Sequence, residues 1–171
     1  MVPRMVEFIK RWELYMQNAY KDKDGSWHVG FGHGNAAGVL PFVDEFTVLK
    51  DEAEALAILE ADLQYLVPII EKMLKVEVND NEFCALWDVA YNRGPGTLRN
   101  SAIIYWLNQP EVKNYRKLAA NAFVHYYEGP EYPVFTKLDT STDVVTQQQR
   151  VYLGLQLRRI DDASLFLLPP V

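Results

Sequence analysis

The sequence is poor in the features that would tie it to nucleic acids, membranes, metals or disulfide chemistry. Its single cysteine, Cys84, cannot form an internal disulfide, and its apolar neighbours make a small buried side chain the expected state rather than a reactive thiol. Basic residues are in deficit. The 17 Lys and Arg against 23 Asp and Glu give a formal charge of -6, the wrong sign for neutralising phosphates, so no nucleic-acid partner is expected. No stretch approaches the run of about 20 apolar residues that spans a bilayer. The opening segment, MVPRMVEFIKRWE, lacks the uninterrupted apolar core of a secretion signal, so neither membrane insertion nor a signal peptide is expected. His28, His33 and His125 have no carboxylate or thiolate set at ligand spacing, and there is no nucleotide-binding loop, so neither a metal nor a cofactor is expected. Internal repeats and low-complexity tracts are missing too.

What remains is enough for a core: 171 residues that are 49% hydrophobic suit one compact domain with room for two lobes, a monomer by default. Residues 3 to 16 read as a helix, because Val6, Ile9, position 13 and Met16 recur at steps of three or four, and position 13 is Glu. From 19 to 33 the period changes to two, with Trp27, Val29 and Phe31 alternating around an Asp24-Gly25 turn, which predicts a small hairpin open to a third strand. The stripe Ala53, Leu56, Leu59, Leu63, Val67, Ile70 and Leu74 describes a long helix over 51–74 with Asp51 and Glu54 as a capping box, kinked or split at Pro68. Phe83, Leu86, Trp87, Ala90 and Tyr91 form another helical stripe, ended by Gly94-Pro95-Gly96 before a helix from about 100 to 107. Residues 128–146 read as an irregular loop, and a last helix follows through Arg158 and Arg159. The fold class is α+β and predominantly helical: a small β-containing lobe over about 14–60, a linking helix at 51–74, and a helical lobe over 76–171 with the N-terminal helix packed on it.

Two polar features stand out. Glu13 occupies a core-facing slot, where partial removal from water resists ionisation and raises a carboxyl toward the range of a general acid. Periodicity alone favours the plainer readings, that it snorkels outward or pairs with a structural arginine. The hairpin offers the second feature. A three-residue loop, Lys23-Asp24-Gly25, with Gly25 left-handed would pair Asp22 with Ser26 and Tyr20 with His28, all on one face. A two-residue Asp24-Gly25 turn would put Asp22 and His28 on opposite faces.

The segment Glu13 to His33, ELYMQNAYKDKDGSWHVGFGH, resembles the catalytic region of phage-type lysozymes, glycoside hydrolase family 24: Glu, eight residues, Asp, five residues, Thr, then Gly-x-Gly-His. Glu13, Asp22 and the run Gly30 to His33 keep that spacing without a gap. EAEALAILEADL at 52–63 is similar to the family's linking helix. FCALWDVAYNRGPGTLRNSAIIYWLN at 83–108 is similar to its central motif, and GLQLRRIDDASLF at 154–166 to its terminal segment. The resemblance implies a lysozyme-like two-lobed fold and a muramidase cutting peptidoglycan. Within it, Glu13 protonates the glycosidic oxygen, and Asp22 supports the developing positive charge or the attacking water. Tyr91, Asn92 and Ser101 match positions at the cleft wall, Gly32 lets glycan approach the backbone, and His33 is expected to be structural. Arg158 and Arg159 are candidates to hold Glu13 from the opposite lobe. A phage or prophage endolysin of this kind is made in the host cytoplasm and reaches the periplasmic wall with the help of a holin-like membrane protein.

Three departures from the pattern matter. His28 stands at the family's Thr position, Leu14 at the Gly after the catalytic Glu, and the 130–146 loop is longer than usual. A threonine hydroxyl only positions water, whereas an imidazole can act as a base or attack the sugar, which would change inversion to retention. The same departures leave open a binding module without turnover, or a hydrolase of chitin or chitosan.

Overall fold

The first helix, α1, covers Val2–Lys10 and buries Met5, Val6, Phe8 and Ile9, a spacing that lays one stripe inward. The structure, a computed structural model, describes residues 2–22, 24–124 and 147–170, with side chains of the last segment from residue 155 onward. His125 and the expected loop at 128–146 lie outside the described residues. Two compact units divide the chain, Met1–Ile69 and Ile70–Val171.

In the first unit, the helix expected over 3–16 ends six residues early. The carbonyl of Ile9 receives the N–H groups of both Trp12, at 2.8 Å, and Glu13, at 2.9 Å, which closes the last turn. Pairing with a neighbouring strand then draws the chain out straight, so Met16, counted as helical by its spacing, begins strand β1 (Met16–Lys21) opposite Gly30. Strands β2 (Trp27–Gly30) and β3 (His33–Gly34) complete an antiparallel sheet in the order β1-β2-β3. The outer edge of β1 is covered by the 47–49 segment: Ala19 N–H donates to Thr47 O and Leu49 N–H to Gln17 O, both at 2.9 Å.

Helix α2 (Glu52–Glu71) follows. Asp51 Oδ1 accepts the Glu54 N–H at 3.0 Å, while Glu54 Oε2 reaches one residue further back than a capping box requires, to the Lys50 N–H at 2.6 Å. Pro68 lies inside the helix without splitting it. The buried face is Ala55, Ile58, Leu59, Asp62, Leu63, Leu66 and Ile70, rotated from the expected stripe so that Ala53 is exposed. The rotation brings a carboxylate inward because His33 waits for it. Only 2% exposed, His33 sets Nδ1 at 2.9 and 3.0 Å from the two Asp62 oxygens and Nε2 at 2.8 Å from the Pro41 carbonyl. Neither partner carries a hydrogen to give, so both ring nitrogens donate and the imidazole is cationic.

The second unit is helical. Helix α3 (Asp80–Arg93) starts at a full capping box, with Asn79 accepting from Asn81 and Glu82 N–H and Glu82 returning a bond to Asn79 N–H. It is buried from Asn81 to Ala90, so the amphipathic stripe read from sequence understates its burial. Gly94, at φ 82°, ends it, and Pro95 opens a short helix α4 (Pro95–Arg99) where only a turn was expected. Helices α5 (Ala102–Leu107), α6 (Tyr115–Val124) and α7 (Gln147–Phe166) follow, with α7 packed on α3 and α6.

Burial pulls the His33 imidazolium down, but the hydrogen bonds to Asp62 and Pro41 and the Asp62 charge outweigh it and leave its pKa above the usual 6.5. A raised folded value means that the pair's stabilisation is complete below about pH 6.5 and disappears as pH rises through the folded value. Asp62→Asn is expected to cost about 3–5 kcal/mol at pH 5, the range for stripping one partner from a buried pair, and less at pH 9. Chemical denaturation at the two pH values checks this; an equal loss at both would contradict it.

Candidate active site

The hairpin adopts the three-residue-loop register. Tyr20 pairs with His28 and Lys21 with Trp27, Asp22 N–H donates to Ser26 O at 2.9 Å, and Gly25 takes φ 89°, a conformation open to glycine at little cost. Asp22, Asp24 and His28 consequently cluster, with ligand-type atoms within 4.8 Å of one another. That spacing would also hold a cation, but hydrogen bonds already use both imidazole nitrogens and Asp24. His28 Nδ1 donates to Gly32 O at 3.1 Å, Nε2 lies 2.9 Å from Ser26 Oγ, and the Ser26 hydroxyl donates to Asp24 Oδ1 at 2.5 Å. Tyr20 stacks on the His28 ring at 5.8 Å between centroids. Gly34 is needed behind the ring, because a Cβ there would come within 2.8 Å of it.

Glu13 is half-buried in the connection before β1, Asp22 is exposed, and Leu14 is 83% exposed. Tyr20 links the two carboxyls electrostatically: its phenol is raised first by burial, then by the charge of Glu13, then by that of Asp22. Gly32, at φ 91°, offers its carbonyl to His28, and His33 is the buried cation described above.

In the second unit Tyr91 and Asn92 are half-buried on the last turn of α3. Ser101 is 3% exposed and caps α5, its hydroxyl donating to Leu98 O at 2.7 Å and accepting from Ile104 N–H at 3.4 Å. Arg158 grips Asp88 through two bonds of 2.8 and 2.7 Å, and Arg159 adds a third at 2.8 Å while reaching Asn92 Oδ1 at 3.5 Å. Arg159 Nε stands 3.1 Å from Asp162 Oδ2. Sequence reading missed Asp88 and Asp162, although Asp88 sits inside a run of apolar residues where a carboxylate needs a partner. It also missed Asp24 and Ser26 as partners of His28, since the turn type decides that contact.

Solved structures carry the same fold. The muramidase domain of SpmX from Asticaccaulis excentricus superposes at a TM-score of 0.70 with 24% identity, covering 97% of this chain and 96% of that one. A P22 lysozyme variant gives 0.67 with 24% identity and 96% coverage of both chains. At such identities the likeness defines the class by fold alone, a lysozyme-like protein. The family model for phage lysozyme matches residues 10–134, and the chain belongs to that family. An endolysin of Bacillus phage B103 is 30% identical over 164 residues, 95% of this chain. The chain spans about half of that relative's length, 52%. Among the described residues no helix is long and apolar enough to cross a membrane.

Burial, then the charge of Asp88, raises the Asp162 carboxyl well above its ordinary range against the opposing pull of Arg159 and Arg158. Its contribution is full below the ordinary carboxyl range and is lost as pH rises through the raised value. Asp162→Asn, which keeps the shape and removes the cost of ionising a buried carboxyl beside Asp88, is expected to stay within about 1 kcal/mol of the unaltered stability at neutral pH. Asp88→Asn removes the carboxylate that both buried guanidiniums share and is expected to cost about 3–5 kcal/mol. Denaturant unfolding of the two variants checks the contrast, and equal losses would contradict it.

Proposed function

We propose that this chain is a muramidase, hydrolysing the β-1,4 bond between N-acetylmuramic acid and N-acetylglucosamine of bacterial peptidoglycan in a phage or prophage endolysin. One observation carries the reading: within the phage lysozyme family match over residues 10–134, Glu13 is half-buried and Asp22 exposed, with eight residues between them. One carboxyl partly withdrawn from water and another that is solvated are the division of labour of a glycoside-cleaving site. Glu13 donates its proton to the glycosidic oxygen. Asp22 supports the positive charge that grows at the anomeric carbon.

His28, in place of the family's threonine, activates the attacking water through Nε2 by giving up its contact with Ser26 Oγ, because Nδ1 is committed to Gly32 O. Direct attack of the ring on the sugar is not required, because an acid, a supporting carboxylate and an activated water suffice for a single displacement. The stereochemical outcome is then inversion. Gly32, Tyr91 and Asn92 are carried over from the family as substrate-side positions, whereas the buried Ser101 hydroxyl is taken up in capping α5. In this reading the protein acts as a monomer on periplasmic peptidoglycan, is made in the host cytoplasm, and depends on a holin-like membrane protein for access, as the family resemblance implies.

Glu13→Gln is expected to slow the clearing of outer-membrane-permeabilised Gram-negative cells by about 10²–10⁴-fold, the usual worth of a positioned acid. Clearing at the unaltered rate would refute the acid role. NMR of the anomeric proton in freshly released product is expected to show inversion; net retention would establish a covalent step instead.

A further inference from the structure

Large apolar side chains exposed singly need no explanation, but the connection 40–48 in the first unit leaves Leu40, Phe42, Phe46 and Val48 each at least 61% exposed. The backbone that presents them is firmly held. Asn35 clasps the buried Val43, donating from Nδ2 to its carbonyl at 2.8 Å and accepting its N–H at 2.7 Å. Asp44 Oδ1 then accepts the Phe46 N–H at 3.0 Å and the Thr47 hydroxyl at 2.9 Å, while Thr47 Oγ1 accepts the Asp44 N–H at 2.9 Å. A segment fixed in this way displays Phe46 and Val48 without having to order itself around a ligand, which removes one cost of binding.

Only the second pair continues the sheet, and strand pairing settles which way it faces. The bonds from Ala19 N–H to Thr47 O and from Leu49 N–H to Gln17 O make Asn18 and Val48 a directly opposed pair, with both side chains on one face. Leu49 is buried on the α2 side of the sheet: its Cδ1 and the Ala55 Cβ each lie 3.3 Å from the place a Cβ on Gly30 would take. Val29 of β2 is buried too. Alternation turns their neighbours Val48 and His28 to the other side, the face that carries the candidate active site. Phe46 lies one residue beyond Thr47 in the direction of Tyr20.

We propose that Phe46 and Val48 are a glycan-contacting platform that extends this face past β1 and packs against the apolar C–H face and N-acetyl methyl of a hexosamine in the strand being cut. The proposal rests on the muramidase reading for the identity of the strand. Charge selects the occupant: the exposed carboxylates of Asp44 and Glu45 flank Phe46, and those of Asp22 and Asp24 border the same face, so an anionic lipid surface is repelled while uncharged sugar rings are not.

The test measures the affinity of soluble, uncross-linked peptidoglycan for the full chain carrying Glu13→Gln, alone and combined with Phe46→Ser, Val48→Ser, both, or Phe42→Ser as an equally exposed control. Phe46→Ser is expected to weaken binding about 5–20-fold, the worth of part of an aromatic contact, and Val48→Ser less. Phe42→Ser should leave it unmoved. With Glu13 restored, KM should rise by the same factor and kcat stay within about twofold. An affinity unmoved in the double variant, with its unfolding midpoint unchanged to show that the unit holds, overturns the proposal, as does an equal loss in Phe42→Ser. Binding of the unaltered chain to phosphatidylglycerol vesicles that disappears in the double variant while peptidoglycan affinity stays would assign the patch to a membrane and overturn it as well. If the unaltered chain binds peptidoglycan without cutting it, the muramidase reading fails, while the binding series still decides the platform.

Discussion

The register of one short hairpin carries most of the chemistry. Side chains alternate faces along a strand, so a slip of one residue in the pairing of Tyr20 with His28 would turn Asp22 and His28 away from each other. Gly25 in the left-handed region admits the loop that fixes this register, and the Asp22–Ser26 backbone bond closes it. The stack of Tyr20 on His28, the Asp24–Ser26 contact and the bond to Gly32 all follow from that single choice. Gly34 then leaves the ring its space from the third strand.

Buried ionic contacts organise the rest of each unit. In the first, the His33 imidazolium bridges Asp62 of α2 and the Pro41 carbonyl, so the strand that backs His28 is fixed to the long helix. In the second, Asp88 gathers both arginines of α7 onto α3. Charges placed this deep are costly alone and tolerable together, since each carboxylate accepts from donors aimed at it. Asp162 shows the limit of that accommodation: with Asp88 already serving the guanidiniums, a second buried carboxyl nearby is raised well above its ordinary range.

Much of this was legible in the sequence, and the exceptions have physical causes. The helical stripes of α1, α2 and α3 announce themselves by spacing, and the family resemblance fixes their order. Where α1 stops was not legible, because Ile9 and Met16 share a helical phase while strand pairing, a contact across the hairpin, claims Met16. The buried face of α2 was misread because Asp62 counts as polar until His33 is placed against it. Ser101 reads as a residue of the cleft wall by resemblance, yet locally its hydroxyl caps α5. The hairpin was narrowed to two registers, and turn geometry, which residue types constrain without deciding, selected between them.

The account stands or falls on which bond is cut. Purified peptidoglycan digested by the protein, reduced with borohydride and hydrolysed to its sugars, tests this directly, since reduction marks the residue whose anomeric carbon was released. A muramidase leaves muramitol as the new reduced sugar. Glucosaminitol in its place, or new amino termini without any new reducing ends, would contradict the account.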